Sequence, residues 1–318
     1  MTPTDDVPNP INKALEVCQK AMAGNNIEQA EAAAVDLLNR AAEWAEQHPT
    51  PESELTNKAW ECEARGDWAG AEAAYRERLA LEEATSHPGM LAKAHLDLSR
   101  LLALVGDAGP AEQHAHAAVE AARRTDVFPL KMMALDVLAR CALRRSDYAG
   151  ALRAAAEAIA AIEPELAATS PLVGTRQLHN RALALQARCR VALGDLAGAE
   201  RDMAASKPTL REHEVSTIFV GQLAQAADWW EASAQLAACQ GDLEGAAAAW
   251  TEAAQYRRLI TSAGQLSRPQ TLAALAGTLR HLAQALEAAG RTVEAQAALA
   301  EAKNIQCELG LPEGGTLD

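Results

Sequence analysis

Gly66-Asp67-Trp68-Ala69-Gly70-Ala71, followed four residues later by Tyr75, decides how this chain is read. Gly106-Asp107-Ala108-Gly109-Pro110-Ala111, Ser146-Asp147-Tyr148-Ala149-Gly150-Ala151, Gly194-Asp195-Leu196-Ala197-Gly198-Ala199 and Gly241-Asp242-Leu243-Glu244-Gly245-Ala246 repeat it, and Gly290-Arg291-Thr292-Val293-Glu294-Ala295 is a weaker copy. Glycine suits the left-handed position that ends a helix, because it has no Cβ to clash. An aspartate directly after it can accept from the free N–H groups that begin the next helix. A small alanine four residues on then lets the two helices close. Each copy is therefore predicted to be a helical hairpin with the motif at its joint.

The closing alanines are Ala71, Ala111, Ala151, Ala199, Ala246 and Ala295, at intervals of 40, 40, 48, 47 and 49 residues. Eight added residues are roughly two helical turns, so the later hairpins should be longer, with one long helix inside Thr209–Gln240. Residues 11–48, broken near Gly24-Asn25-Asn26, read as a degenerate first copy. Ser86-His87-Pro88-Gly89, Asp126-Val127-Phe128-Pro129, Glu163-Pro164, Lys207-Pro208 and Ser267-Arg268-Pro269 read as turns between copies. The expected organisation is a disordered lead over 1–10, repeats of about 40 residues over 11–165, repeats of about 48 over 166–309, and a flexible tail over 310–318.

Composition agrees with an all-α array. Hydrophobic residues make up 49% of the chain but aromatics only 3%. An alanine- and leucine-rich core suits closely packed helices, whereas sheets favour β-branched and aromatic residues. The formal net charge of −14 argues against non-specific binding to nucleic acid or anionic membrane. The start lacks the basic and apolar regions of a signal peptide, and no apolar run approaches the roughly 18 residues that a bilayer span needs. The six cysteines lie at least 44 positions apart, so neither a zinc knuckle nor a disulfide framework is suggested. A reduced, cytoplasmic setting is expected.

The motif resembles the joint of the tetratricopeptide repeat (TPR). In this sequence Ala59, Gly66, Asp67, Trp68, Ala71 and Tyr75 stand at that family's places, as do Ala139, Ser146, Asp147, Tyr148, Ala151 and Ala158, and then Ala187, Gly194, Asp195, Leu196 and Ala199. The likeness covers about residues 11–309. The family's usual unit is about 34 residues, so these units are closer to its long-unit relatives. The resemblance implies a right-handed superhelical array of about seven antiparallel hairpins, a TPR-like α-solenoid. It further implies that the first helix of each hairpin lines a concave groove, and that the groove binds peptides or proteins without catalysis.

In that register the groove positions include Lys93, Leu96, Arg100 and Ala103, then Met133, Asp136, Arg140, Leu143 and Arg144, then Arg181, Ala184, Arg188 and Val191. Arg100, Arg140 and Arg188 recur six residues before Gly106, Ser146 and Gly194, on a chain with 43 acidic and 29 basic residues. A row of guanidinium forks suits an acidic peptide or a C-terminal carboxylate. The competing reading is that the row pairs with acids of neighbouring helices such as Asp97 and Asp136. In later copies the corresponding residues are Asp228, Glu231 and Gln235, then Arg280 and Gln284, so the groove changes sign along its length. The candidate partner-binding residues are Lys93, Arg100, Arg140, Arg144, Arg181, Arg188 and Trp60. Trp229-Trp230 divides between a hairpin interface and a second direction, because adjacent helical residues point about 100° apart.

No catalytic, cofactor or metal site is predicted. His114-Ala115-His116 has the wrong spacing for two ligands on one helix face, and Arg211-Glu212-His213-Glu214 reads as a charged first turn. There is no glycine-rich phosphate loop, no G-x-S-x-G and no His-Glu-x-x-His. The expected function is an adaptor that holds an acidic segment of another protein, and the alternative is a peptide-responsive sensor acting on a separate effector. Self-association through the last hairpin is a further reading, since no solvating helix follows it.

Overall fold

The joints carry the architecture, and their hydrogen bonds show how. At the first, Asp67 N–H donates to Cys62 O at 2.9 Å and Gly66 N–H to Glu63 O at 3.0 Å. This pair of bonds is the Schellman motif, which satisfies the last carbonyls of a helix and needs a left-handed residue. Gly66, Gly106, Gly194, Gly241 and Gly290 take that place with φ between 72° and 92°. Asp67 then begins the next helix: its Oδ1 accepts from Gly70 N–H at 2.9 Å, and Asp147, Asp195 and Asp242 do the same for Gly150, Gly198 and Gly245. The fifth residue of the motif is glycine for a related reason. A Cβ on Gly70 would sit 2.2 Å from the capping carboxylate of Asp67. In the second copy the fifth residue is Pro110, which has no N–H to donate, and Asp107 makes no such side-chain bond.

The computed structural model describes residues 49–85, 87–125, 127–167, 175–208, 217–263 and 268–311, together with Asp36 and Arg40. The expected lead, the degenerate first copy over 11–48, the 211–214 turn and the tail beyond Leu311 lie outside the described residues. Contacts divide the chain into two units, Met1–Glu54 and Leu55–Asp318. The described residues form twelve helices. They are α1 (Pro51–Ala64), α2 (Trp68–Thr85), α3 (Pro88–Val105), α4 (Ala108–Ala122), α5 (Phe128–Arg144), α6 (Tyr148–Ala167), α7 (Thr175–Ala192), α8 (Leu196–Ala205), α9 (Thr217–Cys239), α10 (Leu243–Ala263), α11 (Arg268–Ala288) and α12 (Thr292–Leu309). They pack as six sequential antiparallel pairs, an all-α, TPR-like solenoid.

Helix starts follow local chemistry. At α1, Ser53 N–H donates to Thr50 Oγ1 at 3.2 Å and Thr50 N–H to Ser53 Oγ at 2.8 Å, a reciprocal cap. Proline stands in the first turn of α3 and α5, where its missing N–H is harmless. The added length of the later units lies in α9, α10 and α11, of 23, 21 and 21 residues, while α8 has only 10. Glu163-Pro164 does not end its helix, since α6 continues to Ala167. The carbonyl that Pro164 leaves without an N–H belongs to exposed Ala160, where water can take its place.

The alanines close the pairs: Ala59, Ala71, Ala111, Ala139, Ala151, Ala187 and Ala199 are all fully buried. Between them lie leucine layers, above all Leu96, Leu98, Leu101, Leu102 and Leu104 of α3, each at most 1% exposed. Burying a leucine side chain contributes roughly 1.5–3 kcal/mol, so α3 is the best anchored of the early helices. Leu104 belongs to the apolar cluster of α9–α12, and Trp68 and Val105 pack against it. The Trp68 indole N–H donates to Leu309 O at 3.1 Å. Within this unit, then, the end of the last hairpin is met by the joint of the first. Trp229 and Trp230 pack edge to face at 4.9 Å and enter different clusters, Trp229 with α7 and α8 and Trp230 with the C-terminal one.

Candidate functional site: the arginine face and its cavity

The structure brings together positions that are far apart in the chain. Arg140 on α5 donates from Nε to Asp136 Oδ2 at 3.0 Å and from Nη2 to Asp228 Oδ2 on α9 at 2.9 Å. Arg181 on α7 donates from Nε to the same Asp228 oxygen at 3.0 Å. Arg188, about two turns further along α7, donates to Glu231 Oε2 at 3.1 Å. Arg257 on α10 completes the set, reaching Asp228 Oδ1 at 2.7 Å and Glu231 Oε1 at 2.8 Å. The hydroxyl of Thr278 on α11 donates to Glu231 Oε1 at 2.9 Å. The positive run of the middle copies is thus folded against the negative run of the later ones.

Asp228 and Glu231 are buried, at 2% and 4% exposure. Burial would raise the Asp228 carboxyl, but Arg140, Arg181 and Arg257 outweigh it and hold the group well below the usual carboxylate range. Burial likewise opposes ionisation of Glu231, and Arg257 and Arg188 outweigh it. For Arg140 the loss of water is outweighed by Asp136 and Asp228, so its pKa rises. Asp228, Glu231 and Arg140 therefore stay charged near neutral pH. Four guanidiniums face three carboxylates, which leaves one positive charge in excess.

The other candidates are placed differently. Arg144 donates to the Ala103 carbonyl at 2.5 Å, bridging α5 to α3. Lys93 is exposed, and Trp60 on α1 is 55% exposed. Arg100 on α3 is half-buried and makes no hydrogen bond or ion pair among the described residues. It lines a cavity of about 110 Å³ together with Arg181 and Asp136 and an apolar wall from α5, α6 and α7. Asp97, named in the sequence as a neighbour for this row, instead accepts from buried Arg78 of α2 at 2.6 Å.

Arg257 was not visible from the repeat register, because it sits on the second helix of its hairpin, outside the row assigned to the groove. The cavity had no sequence signal beyond ordinary apolar periodicity. A third grouping was also hidden: His95 of α3 and His114 of α4 face each other, Nδ1 to Nδ1, at 3.0 Å. Among the described residues no group of three or more histidine, cysteine or acidic side chains is arranged to hold a metal, and no helix is long and apolar enough to cross a membrane.

No protein-family model matches the chain. No curated protein sequence matches it either. Solved structures do. The apo form of RapI aligns with a TM-score of 0.50 at 11% identity, covering 94% of this chain and 98% of that one. A Rap protein complexed with Competence and Sporulation Factor aligns at 0.48 and 12% identity, with coverage of 94% and 98%. A variant of a kinesin light chain with nearly identical TPR-like repeats, from Podosopora anserina, aligns at 0.39 and 18%, covering 70% and 98%. What this chain shares with RapI is the fold.

Proposed function

We propose that this protein is a non-catalytic binding module of long TPR-like units, cytoplasmic and free of cofactor. In this reading it holds an acidic segment of another protein or peptide on its arginine-bearing face. The observation that carries the reading is Arg100: in a face whose other arginines are engaged, it is half-buried with no partner among the described residues. The surplus positive charge beside it favours the same class of ligand. A guanidinium held at a partly dry site gains most from a carboxylate, where a charge-assisted bond contributes about 1.5–3 kcal/mol.

The test uses fluorescein-labelled Glu/Gly and Lys/Gly peptides and fluorescence anisotropy. The Glu/Gly peptide is expected to bind, more weakly as salt rises, and Arg100→Glu should weaken it by about tenfold or more. Arg100 is the right residue to reverse, because reversing Arg140 or Arg188 would also break buried pairs. Equal binding of both peptides, or an affinity unmoved by Arg100→Glu, would sink the proposal.

One observation favours the sensor reading as the second choice. The Arg140–Asp228 bond ties the third described hairpin to the fifth. A ligand carboxylate competing for Arg140 would therefore act on the winding of the array. A change in radius of gyration on adding the Glu/Gly peptide, measured by small-angle scattering, supports a sensor; an unchanged radius supports a static adaptor.

A further inference from the structure

We propose that the cavity beside Arg100 is a side-chain pocket, which makes this face selective for an aliphatic residue adjacent to a carboxylate in a segment of another protein. The proposal rests on the acidic-ligand reading above and adds what stands next to the acid. The cavity wall is made by Met132, Met133, Leu135, Ile162, Leu178 and Leu185, and only Arg100, Arg181 and Asp136 give it a polar side. Met133 is 38% exposed and Leu178 half-buried, so the apolar wall extends from the interior to the surface. Methionines, flexible and polarizable, adapt to a side chain that enters.

Size limits what fits. A cavity of about 150 Å³ lined by aliphatic groups holds a benzene-sized molecule. This one is about 110 Å³, enough for the side chain of leucine, isoleucine or methionine and too small for an indole. The polar side sets the register of the acid. Asp136 Oδ2 accepts from Arg140 and lies 3.7 Å from Arg181 Nη2, so the Arg181 end already carries a carboxylate and repels another. Arg100 has no acid bound to it among the described residues. A ligand carboxylate is therefore directed to the Arg100 end while its apolar neighbour fills the cavity. The carboxylate can be an aspartate or glutamate side chain or the free end of a chain, since a guanidinium fork recognises either.

The experiment is an anisotropy series on the full chain with short labelled Gly/Ser peptides. They contain Leu-Glu, Ala-Glu, Trp-Glu or Leu-Gln internally, or a terminal leucine with its carboxylate free or amidated. Leu-Glu is expected to bind tighter than Ala-Glu by on the order of tenfold, with Trp-Glu no better than Ala-Glu. If only the peptide with a free terminal leucine binds, the carboxylate comes from a chain end and the pocket stands. Equal affinities for Leu-Glu and Ala-Glu, both lowered by Arg100→Glu, would overturn the pocket and leave the acidic reading intact. No preference for Leu-Glu over Leu-Gln, together with none for the free over the amidated terminal leucine, would overturn both. Ala158→Leu, which fills the cavity from α6, should erase the Leu-Glu advantage; if that variant misfolds, the peptide series still decides.

Discussion

Replacing Asp228 by asparagine isolates what the internal carboxylates do. The residue is nearly isosteric, so packing is kept while one charge is removed. Asp228 lies within 2.7–3.0 Å of Arg140, Arg181 and Arg257, and its side chain is only 3% exposed. Each such contact corresponds to about 5 kcal/mol of Coulomb attraction at an effective dielectric constant near 20. Most of that is offset by the loss of water around both charges. The relevant figure is the penalty for stranding the partners: removing one member of a buried pair costs about 3–5 kcal/mol, and here three guanidiniums lose the same acid. Asp228→Asn should therefore destabilise the protein by about 3–5 kcal/mol in urea unfolding followed by circular dichroism at 222 nm. Because the residue links non-adjacent hairpins of a repeat array, the transition should also broaden. Glu301→Gln is the control: its pair with Arg258 is about two-fifths exposed on both sides and should change stability by less than about 1 kcal/mol. The pH dependence follows from the sign of the shift. A carboxyl held below its ordinary value contributes stability above about pH 4, and that contribution is lost as the pH falls below it. The variant should lose less stability on acidification than the parent. If Asp228→Asn stays within 1 kcal/mol of the parent, the argument that a buried ion network joins α5, α7, α9 and α10 is refuted.

Two further outcomes follow from single sites. Ser146 takes the left-handed place with φ of 60°, where five sister joints have glycine; Ser146→Gly should raise stability by about 1 kcal/mol in the same unfolding assay. The His95 imidazole is pushed down to about 4 by burial and then by His114, and His114 is lowered by burial and then by Arg76, with Glu72 and Glu83 of α2 opposing. Groups held neutral in the fold contribute stability above their ordinary pKa near 6.5 and lose it as the pH falls toward 4. Melting temperature should accordingly drop between pH 6.5 and 5, and the double variant His95→Gln, His114→Gln should flatten that slope; an equal slope in the variant would show that the pair does not titrate this way.

The helical joints were legible residue by residue because their physics is local. A left-handed glycine, an aspartate capping the N–H three residues on and an alanine at a close approach all act within six positions, and each repeats. Local rules also misled once, at Pro164, where an exposed carbonyl tolerates the break they predict. The row Arg100, Arg140 and Arg188 was equally visible as a pattern, and so was the opposite charge at Asp228 and Glu231.

What this chain determined by sequence alone is thus its unit: a hairpin, its joint, its alanine seam and the sign of each residue in the recurring row. The fate of each charge was decided by tertiary structure. Arg140 and Asp228 are 88 positions apart, and Arg257 enters from the second helix of its hairpin, so no repeat register could show that they meet. Arg100 and Arg140 hold equivalent places in the repeat, yet the fold brings acids to one and leaves the other beside an apolar cavity. The reason is the range of the interaction. A cap or a Schellman bond is closed by residues a turn away, whereas an ion pair belongs to whichever helices the winding of the array brings within about 3–4 Å.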